Sequence, residues 1–287
     1  MTNEKRVLML YLIFVFIISA PIEVIWIYYG EAAAGIAQLL MLVPAIVAII
    51  LKLIFFRKHS LLGLGAGKPI YYLFAVAIPL TYIGLSYIIY WFFVPGTFVG
   101  TGALIEAVSN VISIQNIPAA IMIVFIVAIL GNIPFTFGEE VGWRGLMYPI
   151  MHKLWGRNMA IIISGGIWAI WHLPVLISGN YMEGAALLYR IPMFIIHILA
   201  ITVIVSWLRI KSNSVWPAVI WHAIHNFLDQ GVFRSMTTVE NSSYFISETG
   251  FITTLCAILL AIAILVFGRF EKSKFSFVAD PTLEIEK

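Results

Sequence analysis

The sequence predicts an all-α, polytopic membrane protein of about eight transmembrane helices, and three observations carry that prediction. Of 287 residues, 62% are apolar and 11% charged, whereas a soluble domain averages about 25% charged. Mean hydropathy is +1.00. Eight segments approach the roughly 20 mostly apolar residues that a span requires, and basic residues alternate between their ends. One helical domain over residues 1–268 fits, with a polar tail over 269–287 expected to be cytoplasmic.

The first span, Val7–Tyr29, follows Lys5 and Arg6. It is too long for a cleaved signal's apolar region, and Pro21 after Ala20 makes a poor cleavage context. It holds Glu23, read as a carboxylate snorkelling to the outer interface. Spans two and three, Ala33–Phe56 and Ile70–Val94, add little beyond apolar length. Span four, Ile117–Phe137, carries Pro134, a candidate kink that opens the helix wall, and runs into Glu139-Glu140-Val141-Gly142-Trp143-Arg144. Span five, Met159–Ser178, contains Trp168-Ala169-Ile170-Trp171-His172 and then Pro174. Span six, Ala186–Leu208, has Arg190, Pro192 and His197; a lone histidine on an apolar helix reads as a packing residue. Span seven, Val215–Leu228, is short and polar, with His222, His225 and Asn226, and Asp229 after it as an end cap. Span eight, Phe251–Gly268, holds the single cysteine, Cys256. One cysteine excludes an internal disulfide and a cysteine metal site.

Charge sets the orientation. Fifteen of the 17 Lys and Arg residues fall on one side of this eight-span scheme, leaving Arg190 and Arg234 on the other. The positive-inside rule then makes both termini cytoplasmic in a multi-pass cell-membrane protein, with Arg144 at the cytoplasmic side. The lipid bilayer is one partner. Nucleic acid is excluded as another, because no basic cluster with interleaved aromatics occurs.

Glu140 and Arg144 are four apart and share a helix face, while Glu139 is turned about 100° away. Alone, this is equally a surface ion pair that ends a helix. His172 in span five, and His222 with Asn226 on one face of span seven, change the reading. Carboxylates, imidazoles, an amide and a guanidinium are costly to solvate separately in lipid but satisfy one another around a wet cavity. His225 lies about 60° off the His222–Asn226 line.

Together they match the requirements for hydrolysing an amide with water: a carboxylate base, an imidazole to orient the water, and N–H donors for the oxyanion. A serine or cysteine nucleophile fits poorly, since Cys256 is in the last span and no serine has a GxSxG context. Zinc is the chemical rival, with Glu139, His172 and His222 as three conceivable ligands. HExxH is absent, however, and the His222–His225 pair lacks an adjacent general-base glutamate. At about 1.5 Å per residue, these boundaries put Glu139 at the cytoplasmic edge and His172 nearer mid-bilayer. The two meet only if span four or span five is bounded differently.

The three motifs, EExxxR, aromatic-xxxH and HxxxN, in that order on successive apolar segments, resemble the CPBP (ABI) family of intramembrane endopeptidases, which includes the type II CAAX prenyl proteases. Glu139 to Arg144 matches the first motif. Trp168 to His172 matches the second, with Trp168 where phenylalanine is usual. Asn213-Ser214-Val215-Trp216-Pro217-Ala218, leading into His222-Ala223-Ile224-His225-Asn226, resembles the third. The likeness covers roughly residues 117–230.

The resemblance implies eight helices around a conical cavity open toward the cytosol and the membrane. It implies that Glu139 and His172 activate water, that His222 and Asn226 form the oxyanion hole, and that Glu140 and Arg144 support them. It favours a glutamate-dependent mechanism with no cofactor over zinc. The substrate it implies is a membrane-associated or hydrophobic peptide, prenylated or not. A non-catalytic peptide-binding or immunity scaffold of the same fold is the alternative, and a proton-coupled transporter a third, disfavoured by the lack of inverted repeats.

Overall fold

A computed structural model describes residues 2–33, 35–57, 61–102, 105–106, 117–238 and 240–270. The expected tail lies outside the described residues from 271 on, as does Lys58. Among the described residues, helices occupy the eight apolar segments: α1 (Asn3–Tyr29), α2 (Ile36–Phe55), α3 (Ile70–Phe93), α4 (Ile117–Glu140), α5 (Tyr148–Ser178), α6 (Leu187–Ser212), the short α7 (Trp216–Asn226) and α8 (Phe251–Phe267). By length and composition, α1, α2, α3, α6 and the stretch Phe125–Ser178 can each cross a membrane. The molecule is a polytopic helical membrane protein. Its wide belt of exposed Ile, Leu, Val and Phe side chains is what a lipid-facing surface requires.

The fourth and fifth spans differ from the hydropathy boundaries. Helical structure does not stop at the double glutamate but continues through a π-helical segment, Val141–Met147, into α5. Every residue of Gly138–Met151 is buried. The reversal comes at Gly156, whose φ of 76° and ψ of 172° break the helix. The arms on either side pack together, with the Trp143 and Trp171 rings 5.6 Å apart. Glu139 lies seventeen residues before the turn and His172 sixteen after it, so the two come to one depth. Arg144 is therefore inside the bundle, 2% exposed, and not at the cytoplasmic surface.

Two glycines four apart let α4 and the π-segment lie against α2. A Cβ on Gly138 would come within 2.8 Å of Leu42 Cα, and one on Gly142 within 2.7 Å of the Pro44 carbonyl carbon. Both obstacles are backbone, the close approach that small residues permit in membrane helix pairs. Gly142→Ala should cost about 1–3 kcal/mol through overpacking, read as a lower melting temperature in detergent.

The third motif has a local explanation. Asn213 ends α6 in a left-handed conformation, with φ of 60°. Ser214 Oγ then accepts the Trp216 backbone N–H at 3.2 Å, and Pro217 opens α7. The turn is stitched to the α2–α3 loop by Trp216 Nε1 donating to the Leu64 carbonyl at 2.9 Å and Val215 N to that of Gly63 at 2.8 Å. Arg209 adds bonds to the carbonyls of Arg144 and Leu61, both 3.2 Å. These contacts fix where α7 starts, and hence where His222 and Asn226 face. After Asn226 a second π-helical segment runs Phe227–Phe233.

Candidate active site

Glu139, His172, His222 and Asn226 line one cavity of about 280 Å³, with Trp26, Met41, Trp171 and Tyr181 among its walls. All four residues read from the motifs as chemical groups are thus brought together, from α4, α5 and α7.

Trp168 is the hub. Its indole Nε1–H donates to Glu139 Oε2 at 2.8 Å, and its ring touches those of His172 and His222, with centroids 5.9 and 5.7 Å away. The Arg144 guanidinium stacks over it at 4.0 Å. Trp143 Nε1 also donates to Glu139 Oε2, at 3.3 Å. Two indole donors on a single oxygen hold the Glu139 side chain in place. Phenylalanine at position 168 would supply the ring and not the donor, so this departure from the family pattern alters the chemistry as well as the pocket shape.

The histidines are each held by one ring nitrogen. His172 Nδ1 lies 2.9 Å from the Trp168 carbonyl; a carbonyl only accepts, so Nδ1 carries the proton and neutral His172 keeps Nε2 as an acceptor. His222 Nδ1 lies 2.9 Å from Glu140 Oε1 and donates to it for the same reason. An Nε2–H on His222 then requires the imidazolium, for which Glu140 is the adjacent counter-ion. Arg144 Nη1 meets the same Glu140 Oε1 at 3.1 Å, and Nη2 reaches Thr202 Oγ1 at 3.4 Å. The expected Glu140–Arg144 pair forms, and Glu140 additionally orients His222, a link the sequence spacing does not reveal.

A second buried polar cluster lies behind the cavity wall. Tyr181 packs on His172, with centroids 5.6 Å apart, and its hydroxyl donates to Glu248 Oε2 at 2.7 Å. Glu248 Oε1 accepts from His225 Nε2 at 3.1 Å, and His225 Nδ1 bonds the Tyr82 hydroxyl. Asp229, expected as a helix cap, is buried and accepts from Tyr87 at 3.1 Å and Ser247 at 2.7 Å. His225 thus braces the bundle from the other face of α7. His197 is buried 3.4 Å from Thr254 Oγ1, as a packing residue would be. Arg190 bonds the carbonyls of Leu176 and Met182 at 2.6 and 3.5 Å. Glu23, 7% exposed, is buried and does not snorkel.

Burial pushes the Glu248 carboxyl up, but hydrogen bonds from His225 and Tyr181 outweigh it and hold the group at about 2. A depressed folded-state value means stability present above the ordinary 4.5 and lost as pH falls from there toward 2. The gap in melting temperature between wild type and Glu248→Gln should narrow over that range.

Among the described residues, no three His, Cys, Asp or Glu side chains gather in a set that could hold a metal ion. One nitrogen of each site histidine and Oε2 of Glu139 bond protein partners, and the other nitrogen of each ring and Glu139 Oε1 are left for water or substrate.

Fold and site together define a polytopic membrane protein with a buried glutamate–histidine centre. Residues 114–228, a segment that contains all six motif residues, match the family model of the type II CAAX prenyl endopeptidases, Rce1-like. The chain is also similar to CAAX prenyl protease 2 of Methanococcus maripaludis, 28% identical over 142 residues. That match covers 47% of this chain and 48% of the relative, so the chain matches about half the relative's length.

Proposed function

We propose that the protein is an intramembrane endopeptidase of the cell membrane that hydrolyses membrane-associated or hydrophobic peptides with water activated by Glu139 and His172. The observation that carries this reading is the shared cavity: base, imidazole and both oxyanion donors line one hollow. Glu139 takes one proton from water while the remaining O–H donates a hydrogen bond to His172 Nε2, which aligns the attack. The hydroxide adds to the scissile carbonyl, and N–H groups of His222 and Asn226 stabilise the oxyanion. Glu139 then passes its proton to the leaving amine as the C–N bond breaks. Glu140 and Arg144 position His222 and Trp168. No step requires a metal.

Purified protein in detergent should cleave members of a quenched hydrophobic peptide panel, with prenylated and unprenylated versions compared, and activity should persist in chelator. Activity lost to chelator and restored by zinc would make the mechanism metal-dependent. Binding without cleavage would make the protein a peptide-sequestering scaffold.

A further inference from the structure

We infer that Tyr181 and Glu248 are a pair of positioning residues for the proposed hydrolysis. Tyr181 sets the tilt of the His172 imidazole, and Glu248 holds Tyr181 while tying it to the helix that carries His222 and Asn226. Their bearing on catalysis rests on the peptidase reading; the link between the residues rests on geometry alone.

Aligning a water requires the His172 ring to be fixed in direction as well as in tautomer. Among the described residues, its one hydrogen bond runs from Nδ1 to the Trp168 carbonyl at 2.9 Å. That bond selects the tautomer, but a single anchor leaves the tilt of the ring to packing. Four rings supply the packing. Trp168, Trp171 and Phe194 meet the imidazole steeply, at interplanar angles of 66°, 88° and 63°. Tyr181 lies nearest to parallel, at 30° with centroids 5.6 Å apart. A ring laid against the imidazole face opposes its rotation about the bond to Cβ, and Tyr181 is also part of the cavity wall.

Tyr181 is the one of these four that lies outside a helix, in the stretch after α5. Its backbone N–H donates to the Val175 carbonyl at 3.2 Å and its hydroxyl to Glu248 Oε2 at 2.7 Å. The far end of the side chain is thus placed by Glu248. That carboxylate is buried in a pinned turn. Ser247 takes a left-handed φ of 71° and donates its hydroxyl to Asp229 Oδ2 at 2.7 Å, and the Gly250 N–H bonds the Ser247 carbonyl at 3.0 Å. The other oxygen, Glu248 Oε1, accepts from His225 Nε2 at 3.1 Å. His225 follows His222 by three residues on α7 and directly precedes Asn226. One oxygen of Glu248 therefore holds the wall of the water-aligning histidine, and the other holds the helix of the oxyanion donors. Bonds to a charged acceptor on both sides make Glu248 a brace between the two halves of the site.

Kinetics on a peptide that the wild type cleaves, with nitrogen NMR of histidine-labelled protein in detergent, tests the pair. Tyr181→Phe keeps the ring and loses the hydroxyl, and kcat should fall about tenfold; Tyr181→Leu loses both and should cost about a hundredfold, the scale of a misplaced reacting group. KM should stay within about twofold in each. Glu248→Leu should also lower kcat, and adding Tyr181→Phe to it should change kcat by less than about twofold, since both cut one link. The His172 ring signals, assigned by their absence in His172→Ala, should broaden or draw together in Tyr181→Phe and in Glu248→Leu, although both variants keep every ring that surrounds the imidazole. Tyr181→Phe carries the test by itself where Glu248→Leu does not fold. A raised KM with unchanged kcat makes Tyr181 a substrate contact and overturns the inference. So does a fall in kcat that leaves the His172 signals as in wild type. If the wild type cleaves no peptide, the peptidase reading fails, while the His172 signals still decide the link.

Discussion

Glu139→Gln should abolish peptide cleavage, lowering kcat/KM by about a thousandfold or more, within the range and above for removal of a general base. The melting temperature in detergent should stay near that of wild type. The physical reason is isosteric replacement: the glutamine carbonyl oxygen still accepts from the Trp168 and Trp143 indoles that now meet Oε2. What is lost is the capacity to take and return a proton. Parallel measurement of kinetics and melting checks both halves. Retained turnover would remove Glu139 from the proposed mechanism.

Glu140→Gln should show the opposite emphasis. Its Oε1 receives both Arg144 and His222, while Oε2 is buried with no hydrogen-bond partner. Removing that charge leaves Arg144 uncompensated in the bundle interior, which costs about 3–5 kcal/mol and should lower the melting temperature by roughly 10 °C. Activity should also fall, because a neutral amide oxygen shared by Arg144 and His222 is a weaker acceptor than the carboxylate and holds the His222 Nδ1–H less firmly. The contrast is therefore in stability: one glutamate variant is folded and inactive, the other destabilised. Equal melting temperatures would refute this division between neighbouring carboxylates.

Much of the architecture is legible in the sequence because lipid enforces it. Ile70, Ile117 and Phe251 begin helices where their apolar runs begin. The motif spacing also suffices to nominate Glu139, His172, His222 and Asn226 as neighbours. The depth of the site is not legible, and the cause is specific. Hydropathy treats Glu139, Glu140 and Arg144 as the end of a span, yet a buried, mutually satisfied cluster interrupts an apolar run in the same way a surface does. The continuous π-segment and the turn at Gly156 resolve the mismatch. Trp143 was within reach, since it stands four residues from Glu139 on a helix. Tyr181 and Glu248 carry no motif; they reach the site through tertiary contact, and a glutamate in a polar inter-helix stretch gives no signal of burial.

The turn at Gly156 also bears on how the protein is made. Glu139 and His172 sit on one hairpin, 33 residues apart in the chain, whereas His222 and Asn226 come from a helix some fifty residues further on. Synthesis runs from the N-terminus, so the glutamate and its first histidine are delivered to the membrane as a covalently tethered pair. The loop entropy of bringing them together grows only slowly with their short separation. The site is completed late, when α7 docks onto a hairpin already carrying its carboxylates, and a chain stalled before Trp216 holds a half-built centre in which Glu140 has Arg144 but no imidazole.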